Sequence, residues 1–189
     1  MVKGALTFYS GYFRAALDPV SGFEESRQPT ISLEEHTPTC FEVFRHWIYT
    51  RKLRDHGGNE GEKIASTDLC KLWVSGDYLR APMFQNTVMD AIIDRFTTQK
   101  KIPTCLMKDI YRKIPEQSPL RRIIIEFVAR RFSKQAIAES RERWSADSLL
   151  DLLQATWPPP DKLSYEQLRE MDRCPYHIHE EGVRCTSQT

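Results

Sequence analysis

Prolines stand at the start of helical apolar patterns in this chain, and this feature constrains the fold most. The pairs Thr37-Pro38 and Ser118-Pro119 each precede such a pattern, and Pro82 begins a third one. A hydroxyl residue followed by proline is typical of a helix N-terminus. The hydroxyl accepts from a free backbone amide, and proline already has a helical φ. We therefore predict that three helices begin at these prolines.

Apolar residues recur three or four positions apart after each proline, as on the buried face of a helix. These faces comprise Phe41, Phe44, Ile48, Phe84, Val88, Ala91, Ile92, Phe96, Leu120, Ile123, Ile124, Phe127 and Val128. Similar patterns predict helices around 69–79, 106–114 and 149–153, and a capping box at 164–167 predicts a last short helix. Residues 30–33 alternate like one short strand. The predicted fold class is α+β, mainly α.

Composition narrows the class of protein further. The chain has 189 residues, 40% of them hydrophobic, and a formal net charge of +1. This charge gives no general attraction to nucleic acid or acidic membranes, and no apolar run approaches the ~20 residues that span a bilayer. We expect no secretory signal. Cys40, Cys70 and Cys105 lie among apolar residues. We expect them to be buried, reduced thiols of a soluble intracellular protein, in the cytoplasm or nucleus.

Six short segments carry a more specific pattern. They are Tyr9–Leu17, Phe23–Ser26, Ile31–Leu33, Trp47–Thr50, Leu69–Leu79 and Pro82–Asn86. Taken in this order they resemble the BTB/POZ domain, a protein-binding module. In that family an S-x-Y-F helix precedes a loop, a strand and a helix that ends in Tyr-Thr. An L-x-x-L-x-x-x-A-D-x-L helix and a P-x-L-Q-N helix start come next. The segment 111–129 resembles the region C-terminal to the domain in many fungal members.

Three positions depart from the family pattern. Gly76 replaces the usual alanine, and Phe84 replaces the usual leucine. Arg51 stands where the family has a glycine, which would relax a left-handed helix end. These departures put the local turn after residue 50 in doubt, but they leave the order of the elements intact.

The resemblance implies a truncated BTB/POZ-like helical core at 1–98 that lacks the family's first strands and helix and keeps a residual short strand. C-terminal helices would form an extension at 99–157, and a Pro-led linker and polar tail would occupy 158–189. Because the front of the domain would be missing, we expect Phe8, Tyr9 and Phe13, together with the partners of Ile31 and Leu33, to lose part of their cover. Exposed apolar surface and self-association would result.

The resemblance also implies protein–protein interaction and no enzymatic activity, and we assign no catalytic residue. Phe23, Glu24 and Glu25 lie where adaptors of cullin-type ubiquitin ligases carry a hydrophobic-x-acidic motif, so they are the candidate partner-binding residues. Burying an exposed phenylalanine can contribute about 2 kcal/mol, and rim carboxylates orient a partner. The competing interpretation is that Phe23 packs on its own core.

One cluster of metal-ligating residue types lies near the C-terminus. Cys174, His177, His179 and Cys185 form C-x2-H-x-H-x5-C, and all four are ligand types that zinc accepts. The spacing fits no common structural zinc module, and a polar tail is usually solvated. We therefore expect no cofactor, with these four residues as the candidate set should a metal bind.

Ten basic residues between 100 and 134 offer an alternative function. They are Lys100, Lys101, Lys108, Arg112, Lys113, Arg121, Arg122, Arg130, Arg131 and Lys134. A nuclear, transcription-linked protein could contact nucleic acid through such helices. The basic residues fall opposite the apolar positions, as on ordinary solvated helix faces, and no aromatic platform accompanies them. We therefore expect protein partners instead of nucleic acid.

Overall fold

A computed structural model describes residues 3–18, 33, 37–180 and 184–185. Within these ranges the chain is mainly helical. The α-helices are α1 Lys3–Tyr9, α2 Gly11–Ala16, α3 Pro38–Thr50, α4 Ser66–Tyr78, α5 Pro82–Gln99, α6 Met107–Lys113, α7 Pro119–Arg131, α8 Lys134–Glu139, α9 Ala146–Ala155 and α10 Tyr165–Arg169. The predicted strand at 30–33 lies outside the described residues except for Leu33. Among the described residues the β-structure is one isolated bridge between Arg54 and Glu60.

The predicted helix starts are confirmed. The Thr37 hydroxyl accepts a hydrogen bond from the Cys40 amide at 3.4 Å, and Ser118 caps α7 in the same way. Pro82 occupies the first turn of α5. The capping box of α10 forms between Ser164 and Gln167. These interactions are local, so the sequence is sufficient to predict them.

The core is one apolar cluster that extends from Leu6 to Leu168. Its aromatic centre joins α3 to α5. The Phe84 ring lies edge-on at 5.1 Å from Phe44 and 5.4 Å from Trp47, and all three are at most 1% exposed. Farther along α5, Phe96 packs edge-on against Phe127 of α7 at 5.5 Å. The helices from both predicted segments, 1–98 and 99–157, therefore share this core.

The N-terminal helices cover a residue that we expected to be uncovered. Phe13 of α2 is only 3% exposed, whereas Phe8 of α1 is 65% exposed. The Ser10 hydroxyl donates to the Leu79 carbonyl at 2.6 Å, and the Gly11 amide donates to the Arg80 carbonyl. These bonds hold α2 on the end of α4. The expectation for Phe13 was wrong because α1 and α2 fold back onto the core.

Two further expectations need correction. Cys105 is exposed, whereas Cys40 and Cys70 are buried as expected. Arg121, which we counted on a solvated face, is only 5% exposed. Cys105 lies in a 3-10 turn (Thr104–Leu106) before α6, where the apolar neighbours turn inward and the thiol does not. Sequence neighbours alone therefore did not determine its burial.

Arg51 adopts the left-handed conformation that glycine favours, with φ of 61°. Its guanidinium carbon lies 3.7 Å from the centroid of the Tyr9 ring and 4.6 Å from that of Trp47. A cation over an aromatic face contributes about 0.5–2 kcal/mol, which offsets the cost of the left-handed backbone. The turn after residue 50 therefore forms with arginine at the position where the family pattern has glycine.

No helix in the described part of the chain has both the length and the apolar character that crossing a membrane requires.

Candidate functional site

The four C-terminal cysteines and histidines converge in the folded chain. The Cys174 sulfur lies 3.5 Å from His179 Nε2, and the Cys185 sulfur lies 3.4 Å from the same nitrogen. The donor atoms of these three residues all lie within 4.8 Å of one another. His177 Nδ1 approaches the Cys185 sulfur at 3.1 Å. We call these four residues the Cys/His cluster.

A short turn produces this convergence. Cys174 begins a 3-10 turn, Cys174–Tyr176, and the His177 amide donates to the Cys174 carbonyl at 3.1 Å. After this turn the chain places His179 beside the Cys174 sulfur and the His177 ring beside Cys185. The Cys185 amide donates to the Cys174 sulfur at 3.3 Å, which brings the second cysteine back to the first.

Two polar side chains of α5 hold the histidine segment. Asp90 Oδ1 lies 3.1 Å from His177 Nε2. The Asn86 side chain makes two bonds with the backbone of Ile178, accepting from its amide at 2.7 Å and donating to its carbonyl at 2.9 Å. Ile178, which lies between the two histidines, is therefore held against α5. The ring of His177 is oriented through its Nε2 contact with Asp90.

Arg173 strengthens the contact with the same helix. Its guanidinium pairs with Asp94 at 2.5 Å and approaches Asp90 at 3.4 Å. Burial by itself would lower the pKa of Arg173, but the hydrogen bond and charge of Asp94, followed by those of Asp90, raise it. The guanidinium therefore stays charged in its partly buried position.

The segment around the cluster is packed, in contrast to the poorly packed tail that we expected after residue 158. Leu168 is fully buried, and Ile178 packs against the core. Arg122 of α7 donates to the Pro175 carbonyl, and its guanidinium lies 5.8 Å from the ring centroid of Tyr176. Burial and the nearby Glu126 raise the pKa of Tyr176 to about 12. A few apolar residues in this mostly polar segment, together with its hydrogen bonds, therefore hold it against the core.

The sequence identified the four residues of the cluster but not their partners. Asn86 and Asp90 lie on α5, about ninety positions earlier in the chain. They occur within an ordinary polar helix face, and such a face gives no indication of what will pack against it. Their spacing of four residues, which places both on one side of the helix, becomes meaningful only once the C-terminal segment is known to lie there.

A second surface of interest lies on α9. Leu149, Leu150 and Leu153 are 42%, 54% and 60% exposed, and Trp157 just beyond the helix is 81% exposed. Ser148 and Leu152 lie on other sides of α9 and are buried. We call the four exposed residues the leucine face. Apolar side chains that are clustered on one helix side, outside the core, are typical of interaction surfaces.

Four of the ten basic residues of 100–134 make hydrogen bonds that hold the fold together. Arg121 donates to the carbonyls of Tyr111 and Ile114, and Arg122 donates to that of Pro175. Arg130 donates to the Asp161 carbonyl at 2.6 Å, and Arg131 donates to the Leu163 carbonyl at 3.0 Å. Four arginines thus bind backbone carbonyls of this chain, which reduces the charge that remains available for phosphate contacts.

A cleft of about 710 Å³ lies beside α4 and α6. Its lining includes Cys40 and Cys70, together with Lys71, Asp109 and Arg112. Burial, followed by the neighbouring Cys105, raises the pKa of the Cys70 thiol to about 12. A thiol with such a pKa is a poor nucleophile near neutral pH, so Cys70 is not an activated cysteine.

The candidate cullin-binding residues Phe23, Glu24 and Glu25 lie outside the described residues. Their role stays a prediction. Comparison of the chain with protein-family models, with curated proteins and with solved structures gave no match in any of the three.

Proposed function

We propose that this chain is a protein–protein interaction module, built on a shortened BTB/POZ-like helical core, that associates with a second copy of itself. The leucine face is the observation that carries the proposal. Its three leucines expose apolar side chains at positions i, i+1 and i+4 of α9, a spacing that suits packing against another helix, and Trp157 extends the apolar surface beyond the end of the helix.

The chemistry of the leucine face favours a second copy as the occupant. The four exposed residues are uncharged, and the acidic residues of α9, Asp147 and Asp151, lie on other sides of the helix. Asp151 is already engaged, since it accepts a hydrogen bond from the Tyr111 hydroxyl at 2.6 Å. An uncharged apolar stripe can pack on its own copy across a two-fold axis without placing like charges together.

Charge introduced into the leucine face is expected to abolish self-association. The wild-type chain should behave as a dimer by light scattering at micromolar concentration, and Leu150→Glu/Leu153→Glu should behave as a monomer. Burying each leucine contributes about 1.5–3 kcal/mol, and a two-fold dimer of the variant loses four of them, about 6–12 kcal/mol. This loss is comparable to the ~8 kcal/mol that holds a dimer with a micromolar dissociation constant. Met83→Glu is the matched control, because Met83 is 54% exposed like Leu150 but lies on α5. A monomeric wild-type chain would contradict the proposal.

The resemblance supports a second form of this function, recruitment of a target to a cullin-type ubiquitin ligase. Phe23, Glu24 and Glu25 would form the cullin contact, with Phe23 as the apolar anchor. Titration of the chain against the N-terminal domain of the matching cullin should show binding that Phe23→Asp removes. Binding that is unchanged in Phe23→Asp would assign the contact to another surface. If the chain instead bound nucleic acid through the basic residues of 100–134, that binding would weaken steeply with added salt, because it would depend on phosphate contacts.

A further inference from the structure

The Cys/His cluster has the donor types and spacings of a tetrahedral zinc site. With Zn–S distances of about 2.3 Å and Zn–N distances of about 2.0–2.1 Å, neighbouring sulfur and nitrogen donors lie about 3.5 Å apart. Three of the four sulfur–nitrogen pairs in the cluster lie 3.5, 3.4 and 3.1 Å apart. The ligand atoms of Cys174, His179 and Cys185 all lie within 4.8 Å of one another, and His177 joins this set through Cys185. Two thiolates and two imidazoles would complete the four-ligand shell that zinc adopts in structural sites.

The contact between Asp90 and His177 is an independent observation that points to the same ligand. A carboxylate accepts hydrogen bonds, so the contact with Asp90 favours a proton on His177 Nε2. In the neutral ring this tautomer leaves a lone pair on Nδ1. That lone pair faces the Cys185 sulfur. Histidines that bind metals in proteins commonly donate their outer N–H to a carboxylate, which sets the tautomer and the ring orientation.

Three of the four proposed ligands are partly or largely buried, and this favours a structural site that other ligands cannot reach from the buried side. The His177 side chain is 11% exposed, and Cys174 and His179 are partly buried. Cys185 is exposed. Its position at the end of the cluster makes it the ligand that closes the site.

We infer that Cys174, His177, His179 and Cys185 bind one Zn²⁺ ion and that Asp90 orients His177 for this purpose. The ion fastens residues 174–180 and Cys185 to α5, next to the bonds that Asn86 makes with Ile178. Because all four ligands come from the protein, the ion stabilises the fold and has no open coordination position for catalysis. This inference does not rest on the proposed self-association.

The first test uses the full chain, stripped of metal by a chelator and then titrated with Zn²⁺ or Co²⁺. We expect one ion per chain, with thiolate-to-cobalt charge-transfer absorption and the strong visible bands of tetrahedral Co²⁺. Maleimide labelling, mapped by mass spectrometry, should show that Zn²⁺ protects Cys174 and Cys185. Exposed Cys105 should label in both states, and fully buried Cys70 in neither, so they are internal controls.

Variants then assign the roles. Cys174→Ser/Cys185→Ser should abolish binding of Zn²⁺ at one equivalent. Asp90→Asn should keep the stoichiometry but weaken the affinity by about 10–100-fold, the usual effect of removing a carboxylate that orients a histidine ligand. Asp94→Asn is the matched control. In the described structure Asp94 pairs with Arg173 more closely than Asp90 does, but it has no contact with the four residues of the Cys/His cluster. Its affinity for Zn²⁺ should stay close to that of the wild type.

Two results would overturn the inference. One is equal labelling of Cys174 and Cys185 with and without saturating Zn²⁺, measured on the wild-type chain and therefore independent of whether any variant folds. The other is unchanged Zn²⁺ affinity in the double serine variant. Equal losses in Asp90→Asn and Asp94→Asn would remove the assigned role of Asp90 and leave only its ion pair with Arg173.

Discussion

Replacing Arg121 by alanine is expected to lower the free energy of unfolding by about 2–6 kcal/mol, because two buried carbonyls lose their donor at about 1–3 kcal/mol each. The guanidinium donates to the carbonyls of Tyr111 and Ile114, at the C-terminal end of α6, and lies 4.2 Å from the ring centroid of Tyr111. Helix ends leave carbonyls without intrahelical donors, and a cation there also interacts favourably with the helix dipole.

The physical reason for this large effect is burial. Arg121 is 5% exposed, so truncation leaves a cavity and two carbonyls that water reaches poorly. These carbonyls connect α6 to the start of α7. Removing their donor should therefore loosen the junction between two helices as well as remove one hydrogen-bonding side chain.

Urea unfolding followed by circular dichroism measures this change. Arg112→Ala is the matched control, because Arg112 is also an arginine beside α6 but has a 73% exposed side chain that pairs with Asp109. Exposed ion pairs contribute less than about 1 kcal/mol, so this control should unfold nearly as the wild type does. Equal destabilisation by the two substitutions would show that the hydrogen bonds of Arg121 contribute no more to stability than the exposed ion pair of Arg112 does.

Gly76→Ala is expected to destabilise the fold by about 1–3 kcal/mol, the usual cost of overpacking a core. Alanine in place of a helical glycine normally gains about 1 kcal/mol. Here an added Cβ would lie 2.7 Å from Gln85 Cγ and 3.0 Å from Phe84 Cδ1. Both neighbours are buried, and Gln85 is held by its hydrogen bond to Asp77 at 3.3 Å. The sign of the usual effect is therefore reversed.

The two departures from the family pattern at positions 76 and 84 are in contact, and this makes the prediction specific. Phe84→Leu should lower stability alone, yet it should recover part of the loss in the Gly76→Ala background. A double-mutant cycle in urea should give a coupling energy of at least about 0.5 kcal/mol. Gly4→Ala is the control, since nothing lies within 4 Å of its added Cβ. Strict additivity at 76 and 84 would contradict the compensation.

The helices could be predicted from the sequence because their signals are local. Thr37 and Ser118 cap the helices that begin after them, and the predicted face of α5 is buried from Phe84 to Phe96. The burial of single side chains was less predictable. Phe13, Cys105 and Arg121 all differ from expectation because each depends on where a distant or adjoining element turns. The helix α8 was not predicted, since it is only six residues long and none of them is fully buried.

The sequence by itself determined the helical segments, their caps and the four residue types of the Cys/His cluster, because each depends on neighbours within a few positions. Only the tertiary structure brought Asp90 to His177, Arg121 to the end of α6, and Gly76 against Phe84 and Gln85. These are pairings between separate helices or segments. Their partners are chosen by packing of the shared core, and no local pattern records that choice.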